Sequence, residues 1–319
     1  MKVIVTGGAG YIGSVVAALL IEAGHEVIVL DNLSEGHQYS VPKSARFIKA
    51  DVRDFANVIS KEDKIDAVLH FAALISAGES VTSPEKYWKN NTVGSLELLE
   101  ALRKLDIKKL IFSSTAAVYG NPKNIPISEE EAKNPTNPYG MTKLAVDMAI
   151  TSECYAYGLA ATSLRYFNVA GAYKKFGEGH NHETHIIPLA IEAAEQGNEF
   201  TIFGEDYPTK DGTCVRDYIH VYDLARAHLL ALEKLEPSKH KIYNLGNGNG
   251  YSNHQVIETV EKVTGKHLIT KVGARRPGDP AILVASSKLA KKELDWKPEK
   301  PELETMVGDA LAFYRTIRQ

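Results

Sequence analysis

The sequence predicts an α/β fold, a doubly wound parallel sheet with a smaller, interleaved α/β domain towards the C-terminus. In the first half, short apolar runs alternate with amphipathic stretches, and a glycine-rich segment joins the first run to the first such stretch. Continuous apolar strands between helices are typical of a parallel sheet covered on both faces. Beyond residue 168 the elements become shorter. We therefore expect residues 1–172 plus roughly 212–249 to form the sheet domain, and roughly 173–211 plus 250–319 the smaller one.

Hydrophobic periodicity assigns the individual elements. In the first half it predicts strands at 2–5, 26–30, 46–50, 67–71 and 109–113, and helices at 12–23, 54–61, 84–104 and 138–157. Residues 171–184 are polar and rich in His and Gly, which predicts a long loop of a kind that is often functional. In the second half it predicts helices at 185–196, 221–234 and 252–264, and strands at 200–203 and 241–245.

Composition narrows the class of protein. The chain has 319 residues, 44% of them apolar and 24% charged, which is the balance of a globular protein with a sizeable core. A net charge of −3 provides no basic field for nucleic acid, and no apolar run approaches the ~20 residues of a membrane span. With two cysteines and no signal-peptide pattern, we expect a reducing, cytoplasmic location, although one disulfide between the two cysteines stays open.

The glycine-rich segment between the first strand and the first helix predicts a nucleotide site. Gly7, Gly10 and Gly13 allow a tight turn and let backbone N–H groups approach a pyrophosphate at the helix N-terminus. The strand–loop–helix context makes a purely structural turn the weaker reading. Asp31 follows Gly13 by 18 residues and closes the second strand, where a carboxylate accepts from the adenosine ribose and repels a 2′-phosphate. This pattern predicts a Rossmann-type site that prefers NAD to NADP.

The spacing Tyr-x-x-x-Lys occurs three times, and in two of these a proline directly precedes the lysine and disfavours a helix. The third begins a helix well, because Asn137 can cap it and Pro138 suits its first position. Tyr139 and Lys143 then share one helical face. A free tyrosine has a pKa of about 10, and lowering it by about three units takes ~4 kcal/mol of interaction with a cation. The pair predicts a base for an alcohol proton, the alternative being an exposed Tyr and Lys on an ordinary helix.

Hydroxyl side chains end the fifth predicted strand, at Ser113, Ser114 and Thr115. Ligands of doubly wound sheets bind at the carboxyl ends of the strands, so these hydroxyls should border the cofactor crevice. The alternative is routine capping, which Ser and Thr often provide. A strand-end hydroxyl together with a helical Tyr/Lys pair is much less expected by chance than either feature alone.

These features resemble the extended branch of the short-chain dehydrogenase/reductase superfamily, and in finer detail its UDP-hexose 4-epimerases. The matching stretches reach from the first strand to about residue 280 and include TGGAGYIGS, LDNLS, NPYGMTK, LRYFNVAGA, VRDYIHV and RRPGDP. The resemblance implies reversible, NAD-dependent inversion of carbon 4 of a UDP-hexose through a 4-keto intermediate. Tyr139, kept as phenolate by Lys143 and the nicotinamide, would accept the 4-hydroxyl proton, and Thr115 would hydrogen-bond the same oxygen.

The resemblance also implies a set of binding residues. The positions that match cofactor contacts are Gly7, Gly10, Tyr11, Ile12, Gly13, Asp31, Asn32, Asp51, Val52, Phe71, Ala72, Asn90, Lys143 and Tyr166. The positions that match substrate contacts are Thr115, Tyr139, Asn168, His185, Ile186, Arg216, Arg276, Asp279 and Leu283. Arginine can bridge a diphosphate, and a carboxylate can accept from ribose hydroxyls, which suits the UDP end of such a site. A salt bridge between Arg216 and Asp217 is the alternative for that arginine.

Three positions depart from the family pattern. Ile75 stands where a lysine is frequent, so one polar contact near the cofactor is absent. Residues 183–186 replace an Asn-Asn-Leu sequence before a helix, which alters a uridine or sugar contact. Leu283 stands where some members carry a bulky tyrosine. The smaller side chain makes room for a 2-acetamido group, so UDP-N-acetylhexosamines become plausible substrates beside UDP-glucose and UDP-galactose.

Other functions fit the residues less well. A 4,6-dehydratase needs an Asp-Glu pair after the strand-end threonine, whereas two alanines follow Thr115. A decarboxylase or a reductase would produce or consume NADH, and a non-catalytic NAD-binding protein should have lost the tyrosine, the lysine or the hydroxyl. His180, His182 and His185, around Glu183, have a spacing that could ligate zinc. The NAD chemistry needs no metal, and we expect none.

The expected partners are a UDP-hexose substrate and a second copy of the chain, with no nucleic acid and no membrane. The predicted helices 84–104 and 138–157 match the face through which the family dimerises. Both carry apolar stripes, which core packing would explain equally well.

Overall fold

Strands and helices alternate along the chain, of which the computed structural model describes residues 1–179, 183–276 and 279–318. Within these ranges the strands are β1 (Lys2–Thr6), β2 (Glu26–Asp31), β3 (Arg46–Lys49), β4 (Ala67–His70), β5 (Lys109–Thr115), β6 (Ala160–Tyr166), β7 (Asn168–Ala170), β8 (Glu199–Phe203), β9 (Val215–His220), β10 (His240–Leu245), β11 (Gly250–Ser252), β12 (Ile269–Gly273) and β13 (Ile282–Leu283). The α-helices are α1 (Tyr11–Glu22), α2 (Phe55–Val58), α3 (Ala77–Thr82), α4 (Pro84–Tyr87), α5 (Gly94–Leu105), α6 (Pro138–Tyr157), α7 (Ile186–Gln196), α8 (Val221–Glu233), α9 (Asn253–Thr264), α10 (Lys288–Glu293) and α11 (Leu303–Ile317).

The main sheet has seven strands in the order β10-β6-β5-β4-β1-β2-β3, and every neighbouring pair is parallel. Buried side chains of α1 and α8 pack on one face, and those of α2, α5 and α6 pack on the other. Parallel strands need this double cover because their hydrophobic side chains project from both faces. The predicted fold class, a doubly wound parallel sheet, is confirmed.

A smaller unit assembles around β9. This strand pairs in parallel with β7 and β13 and antiparallel with β11, while β8 pairs in parallel with β12. Helices α7, α9 and α11 bury a separate set of side chains that includes Ile191, Val256 and Met306. The boundaries of the two domains stay a prediction. Near the C-terminus, Ala290 and Trp296 pack into the core of the main sheet rather than into the smaller unit.

The hydrophobic pattern does not predict β6, although every residue of this strand is buried. Its polar residues, Thr162, Ser163 and Arg165, interrupt the apolar run. Two of them find partners inside the protein: Ser163 Oγ lies 2.7 Å from His240 Nε2, and Arg165 pairs with Asp147. Burial of polar groups is tolerated when such partners exist, so hydrophobicity alone misses the strand. Arg, Asp and His residues interrupt the apolar pattern of β9 in the same way, so hydrophobicity alone does not predict this strand either.

Two predicted helices differ in detail from the structure. The helix predicted at 84–104 is α4 and α5 joined by a π-helical turn, Trp88–Val93. Within that turn, the buried Asn91 accepts a hydrogen bond from the backbone N–H of Leu74 at 2.8 Å and donates one to its carbonyl at 2.9 Å. The turn thereby fixes the loop after β4. The helix predicted at 54–61 shortens to α2 because the backbone becomes extended at Ile59.

Candidate active site

The carboxyl ends of β1, β2, β4, β5 and β6 open into a cavity of about 550 Å³. Its wall contains every predicted cofactor position except Lys143. It also contains four predicted substrate positions, namely Thr115, Tyr139, Asn168 and His185. Ile75, which departs from the family pattern, lies in the same wall. The size and position are those of a ligand site at the edge of a doubly wound sheet.

The glycine loop leaves no room for side chains. Gly7 has φ +71°, and a Cβ on it would lie 2.5 Å from the backbone nitrogen of Ala72. A Cβ on Gly13 would lie 2.3 Å from the carbonyl oxygen of Gly7. Gly10 donates its N–H to the same carbonyl at 3.2 Å and is the N-cap residue of α1. The close packing of loop against helix brings the N-terminus of α1 to the cavity, where it suits a pyrophosphate.

Asp31 connects the end of β2 to the glycine loop. Its Oδ2 accepts from the backbone N–H of Ala9 at 3.0 Å, and its Oδ1 accepts from Leu33 at 2.8 Å. Burial raises the pKa of this carboxyl, and the two backbone donors act against that rise. Each oxygen still has a lone pair for a ribose hydroxyl. The predicted role of Asp31 is therefore compatible with its geometry.

An arginine that the sequence analysis did not single out lies beside the predicted adenine end of the cavity. Arg53 donates to Asp51 through Nε at 2.7 Å and through Nη2 at 2.9 Å, and Asn32 donates to the same carboxylate at 3.0 Å. The hydrogen bonds from Arg53 lower the pKa of Asp51 to about 2. Because Asp51 balances the guanidinium charge, the site keeps its preference for a cofactor without a 2′-phosphate. The Asp-x-Arg spacing is the signal that could have predicted this pair.

Helix α6 positions the predicted catalytic side chains. Asn137 caps it as predicted, with its Oδ1 accepting from the N–H of Gly140 at 2.9 Å. Lys143, one turn after Tyr139, is only 3% exposed, and its Nζ donates to the carbonyl of Ser113 at 2.8 Å. Thr115 closes β5, and its hydroxyl group favours the phenolate form of Tyr139. The structure thus unites the strand-end hydroxyl with the Tyr/Lys pair.

Burial disfavours the charged forms of both Tyr139 and Lys143. It raises the pKa of Tyr139, against which the hydrogen bond with Thr115 acts, and it lowers the pKa of Lys143 to about 7. A phenolate at Tyr139 therefore needs a cation beside it, either the ammonium form of Lys143 or a bound nicotinamide cation. The protonation of Lys143 is poised near neutral pH.

Tyr166, at the end of β6, lies in the cavity wall and is bonded to a buried histidine. Its hydroxyl lies 2.6 Å from His228 Nε2, while His228 Nδ1 lies 2.9 Å from the carbonyl of Leu224. A carbonyl only accepts, so Nδ1 carries the proton and Nε2 accepts from the tyrosine. Burial lowers the pKa of His228 to about 4, which keeps the ring neutral. The hydrogen bond to His228 fixes the orientation of Tyr166 at the end of β6, beside the predicted nicotinamide end of the cavity.

His185 lies between two carboxylates in the cavity wall. Its Nδ1 is 2.8 Å from Glu178 Oε1 and 2.9 Å from Glu183 Oε1. Burial lowers its pKa, but the two carboxylates outweigh burial and hold the pKa well above its ordinary value. The ligand atoms of the three residues lie within 4.8 Å of one another, and a protonated imidazole makes the cluster an ion-paired triad. His180 and His182 lie outside the described residues, and the expected absence of a metal stays a prediction.

Five predicted substrate positions are not in the wall of this cavity as the described residues form it. They are Ile186, Arg216, Arg276, Asp279 and Leu283. The smaller unit nevertheless brings three of them together. Arg216 donates to Asp279, and Leu283 on β13 lies opposite Arg216 on the neighbouring strand β9. Asp217, the alternative partner of Arg216, instead accepts backbone N–H groups of other loops.

The fold and the site together define a nucleotide-cofactor enzyme of the doubly wound class that oxidises an alcohol. The chain belongs to the NAD dependent epimerase/dehydratase family, whose sequence model matches residues 3–246.

The similarity to individual proteins extends over nearly the full length. UDP-glucose 4-epimerase of Corynebacterium glutamicum is 54% identical over 314 residues, which are 98% of this chain and 95% of that relative. The crystal structure of UDP-glucose 4-epimerase from Brucella ovis in complex with NAD has a TM-score of 0.92 at 41% identity, covering 98% of each chain. That of the Bifidobacterium longum UDP-glucose 4-epimerase with NAD⁺ and UDP has a TM-score of 0.94 at 37% identity, covering 99% of this chain and 98% of the other.

Proposed function

We propose that this protein is an isomerase, an NAD-dependent UDP-glucose 4-epimerase. The observation that carries the proposal is one cavity whose wall contains the glycine loop, Asp31, Thr115 and Tyr139. This cavity combines a dinucleotide site with a base for an alcohol, and the relatives that share the fold over nearly their whole length carry this activity in their names.

The residues of the chain hold the cofactor in a defined direction. The N-terminus of α1 would bind the pyrophosphate, Asp31 would accept from the adenosine ribose, and Tyr166 would contact the nicotinamide end. When bound, NAD⁺ supplies a hydride acceptor that is restored within each cycle, so the reaction needs no second redox partner. The protein contributes binding, orientation and proton transfer.

Proton transfer falls to α6 and the end of β5. Tyr139, as phenolate beside the ammonium of Lys143, accepts the proton of the sugar 4-hydroxyl, and Thr115 hydrogen-bonds the same oxygen. The same proton returns when the 4-keto sugar is reduced on its other face. Because the sugar must turn over between the two events, the UDP needs firm anchoring while the hexose is held loosely. We assign the anchoring to Arg216, Arg276 and Asp279, with further contacts from Asn168 and His185.

The decisive assay is incubation of the purified protein with UDP-galactose, followed by chromatographic separation of the 4-epimers. UDP-glucose should form until the two sugars reach equilibrium, with no accumulation of reduced cofactor. Failure to form any 4-epimer from UDP-galactose or from UDP-N-acetylgalactosamine would contradict the proposal. Stoichiometric formation of NADH from UDP-galactose without any 4-epimer would instead indicate net oxidation of the sugar.

The half-buried Leu283 should control tolerance of the acetamido group. We expect the protein to epimerise UDP-N-acetylgalactosamine as well as UDP-galactose, because leucine leaves space where a tyrosine would stand. Leu283→Tyr should lower kcat/KM for the N-acetylated sugar by about tenfold or more, since overpacking costs about 1–3 kcal/mol, and should lower it less for UDP-galactose. The ratio of the two kcat/KM values measures the effect. An unchanged ratio would remove Leu283 from the sugar pocket.

We also propose a homodimer formed through α5 and α6. Met141, Met148 and Tyr155 recur every seventh residue on one face of α6 and are 40%, 65% and 93% exposed. Leu96 and Trp88 add exposed apolar surface on the neighbouring helical segment, at 45% and 40%. Exposed apolar side chains on two adjacent helices suit contact with the same two helices of a second copy, in a four-helix arrangement.

Met148→Glu should convert the dimer largely to monomer, because a charge would be buried at the centre of the contact. Analytical ultracentrifugation gives the mass directly. Ile269→Glu is the matched control, since Ile269 is 57% exposed on β12 and belongs to neither helix. A monomeric wild-type protein would contradict the proposal.

The remaining predictions concern membranes, the two cysteines, the cellular location and nucleic acid. Among the described residues, no helix is both long and apolar enough to cross a membrane. Cys154 and Cys214 are both buried and form no disulfide. We retain the proposals of a cytoplasmic location and of no nucleic-acid partner.

A further inference from the structure

A buried carboxylate lies one helical turn beyond the catalytic lysine. Asp147 on α6 is 3% exposed, and its Oδ2 accepts from Ser114 Oγ at 3.1 Å and from Arg165 Nη2 and Nε at 2.9 and 3.2 Å. Its Oδ1 is buried and has no hydrogen-bond partner among the described residues. One oxygen therefore makes all three polar contacts, while a charged oxygen without a partner normally costs stability.

Arg165 alone does not account for this arrangement. Its guanidinium, 2% exposed, also donates to Tyr119 at 3.0 Å, so it is well satisfied in the core. Lys143 is the second buried cation of the cluster, and it bonds a neutral carbonyl rather than an acid. Asp147 follows Lys143 by four residues on the same face of α6, and the two side chains bond the adjacent residues Ser114 and Ser113. At this position the carboxylate favours the charged form of Lys143. Both buried cations thus interact with the carboxylate of Asp147.

One further carboxylate, Glu129, interacts electrostatically with Arg165, whereas Asp147 is the carboxylate that acts on Lys143 among the described residues. His70 on β4 and His240 on β10 face Lys143 and Asp147, and burial lowers the pKa of each, to about 3 and about 4, which keeps both rings neutral. The phenol groups of Tyr139 on α6, Tyr166 on β6 and Tyr119 after β5 complete the surroundings, and burial raises the pKa of each.

We infer that Asp147 is a positioning residue that keeps Lys143 in its ammonium form, and that Arg165 limits how strongly it does so. The inference rests on the proposed function, because the ammonium matters through the phenolate of Tyr139. An acid that hydrogen-bonded Lys143 directly would fix its charge permanently. Because Asp147 also pairs with Arg165, it stabilises the ammonium form of Lys143 less strongly, and the lysine can still lose its proton as the pH rises.

The sign of the effect differs between the two partners. Asp147→Asn removes the negative charge, so the pKa of Lys143 should fall by about one unit or more, as expected for loss of a nearby opposite charge. Arg165→Met removes the competing cation, so the pKa of Lys143 should rise. At a pH above the pKa of Lys143 in both wild type and variant, each unit by which that pKa falls lowers the charged fraction of Lys143 about tenfold. The value of kcat should fall by the same factor. Asp147→Glu keeps the charge and should restore the wild-type pH dependence.

The test measures Lys143 itself as well as turnover, in NAD-loaded protein. The protein is labelled with [¹³C]lysine, and the Cε signal of Lys143 is assigned by its loss in Lys143→Met. The chemical shift of this signal gives the titration midpoint of Lys143. The pH dependence of kcat with UDP-galactose gives the midpoint of the descending limb. Both should move down in Asp147→Asn and up in Arg165→Met. Asp223→Asn is the matched control, because Asp223 is an equally buried helical carboxylate that accepts from the backbone N–H groups of Glu299 and Lys300. It should move neither midpoint.

Midpoints that stay within about 0.3 pH unit of wild type in Asp147→Asn, even with reduced activity, would show a merely structural role. An equal displacement in Asp223→Asn would also overturn the inference. If Asp147→Asn does not fold because Arg165 is left unpaired, the upward displacement in Arg165→Met decides the question. The Cε titration stays valid if wild-type protein proves inactive on UDP-sugars, so failure of the proposed function is recognised separately.

Discussion

Tyr139→Phe is expected to lower kcat by about 10²- to 10⁴-fold, the usual contribution of a general base, while the protein still binds NAD. The ring remains in the cavity wall, so the shape of the cofactor site is kept, but the oxygen that takes the sugar proton is gone. Steady-state epimerisation of UDP-galactose measures the loss. The amount of NAD released on denaturing the purified variant reports whether the cofactor site is intact.

Tyr39→Phe is the matched control for this experiment. Tyr39 belongs to another Tyr-x-x-x-Lys spacing, but it is 57% exposed and lies in a short 3₁₀ turn, Gln38–Ser40, that ends before the lysine. Its substitution should leave kcat unchanged. If Tyr139→Phe retained near-wild-type turnover, the assignment of the base would be wrong, and Thr115 would be the next residue to examine.

Gly13→Ala should weaken NAD binding by roughly 10- to 100-fold. The added Cβ would lie 2.3 Å from the carbonyl oxygen of Gly7, so the loop or α1 must move, and overpacking of this kind costs about 1–3 kcal/mol. The displaced backbone is the part that should face the pyrophosphate. Titration of NAD into cofactor-free protein gives the change in Kd.

Gly308→Ala is the control for the glycine experiment. Gly308 lies within α11, and a Cβ there would meet nothing within 4 Å. Alanine is the better helix former by roughly 1 kcal/mol, so this variant should be slightly more stable and should bind NAD normally. Unchanged NAD affinity in Gly13→Ala would mean that the loop does not hold the cofactor.

The features that the sequence predicted well are local ones. The glycine loop, Asp31 and the cap at Asn137 depend on neighbouring residues, because turns and helix starts are set by short stretches of backbone. The same holds for the parallel sheet, whose first five strands are apolar in themselves. Their agreement with the structure follows from consistency between local sequence and fold.

The features that the sequence did not predict depend on partners far apart in the chain. Arg165 can sit inside β6 because Asp147 faces it from α6, and Tyr166 donates to a histidine 62 residues away. The pairing of Arg216 with Asp279 spans 63 residues. A buried polar side chain looks like a surface residue until its partner is known, so the strand around it, and its role, escape a reading of the sequence alone.

The strand order of the main sheet has a consequence for synthesis of the chain. The outer neighbour of β6 is β10, and residues 167–239, which include β7, β8 and β9, emerge from the ribosome between these two strands. During translation the edge of β6 stays open, and open edges of buried strands recruit other strands. A nascent chain halted before residue 240 is therefore expected to be prone to aggregation. The main sheet can be completed only after β10 has been synthesised.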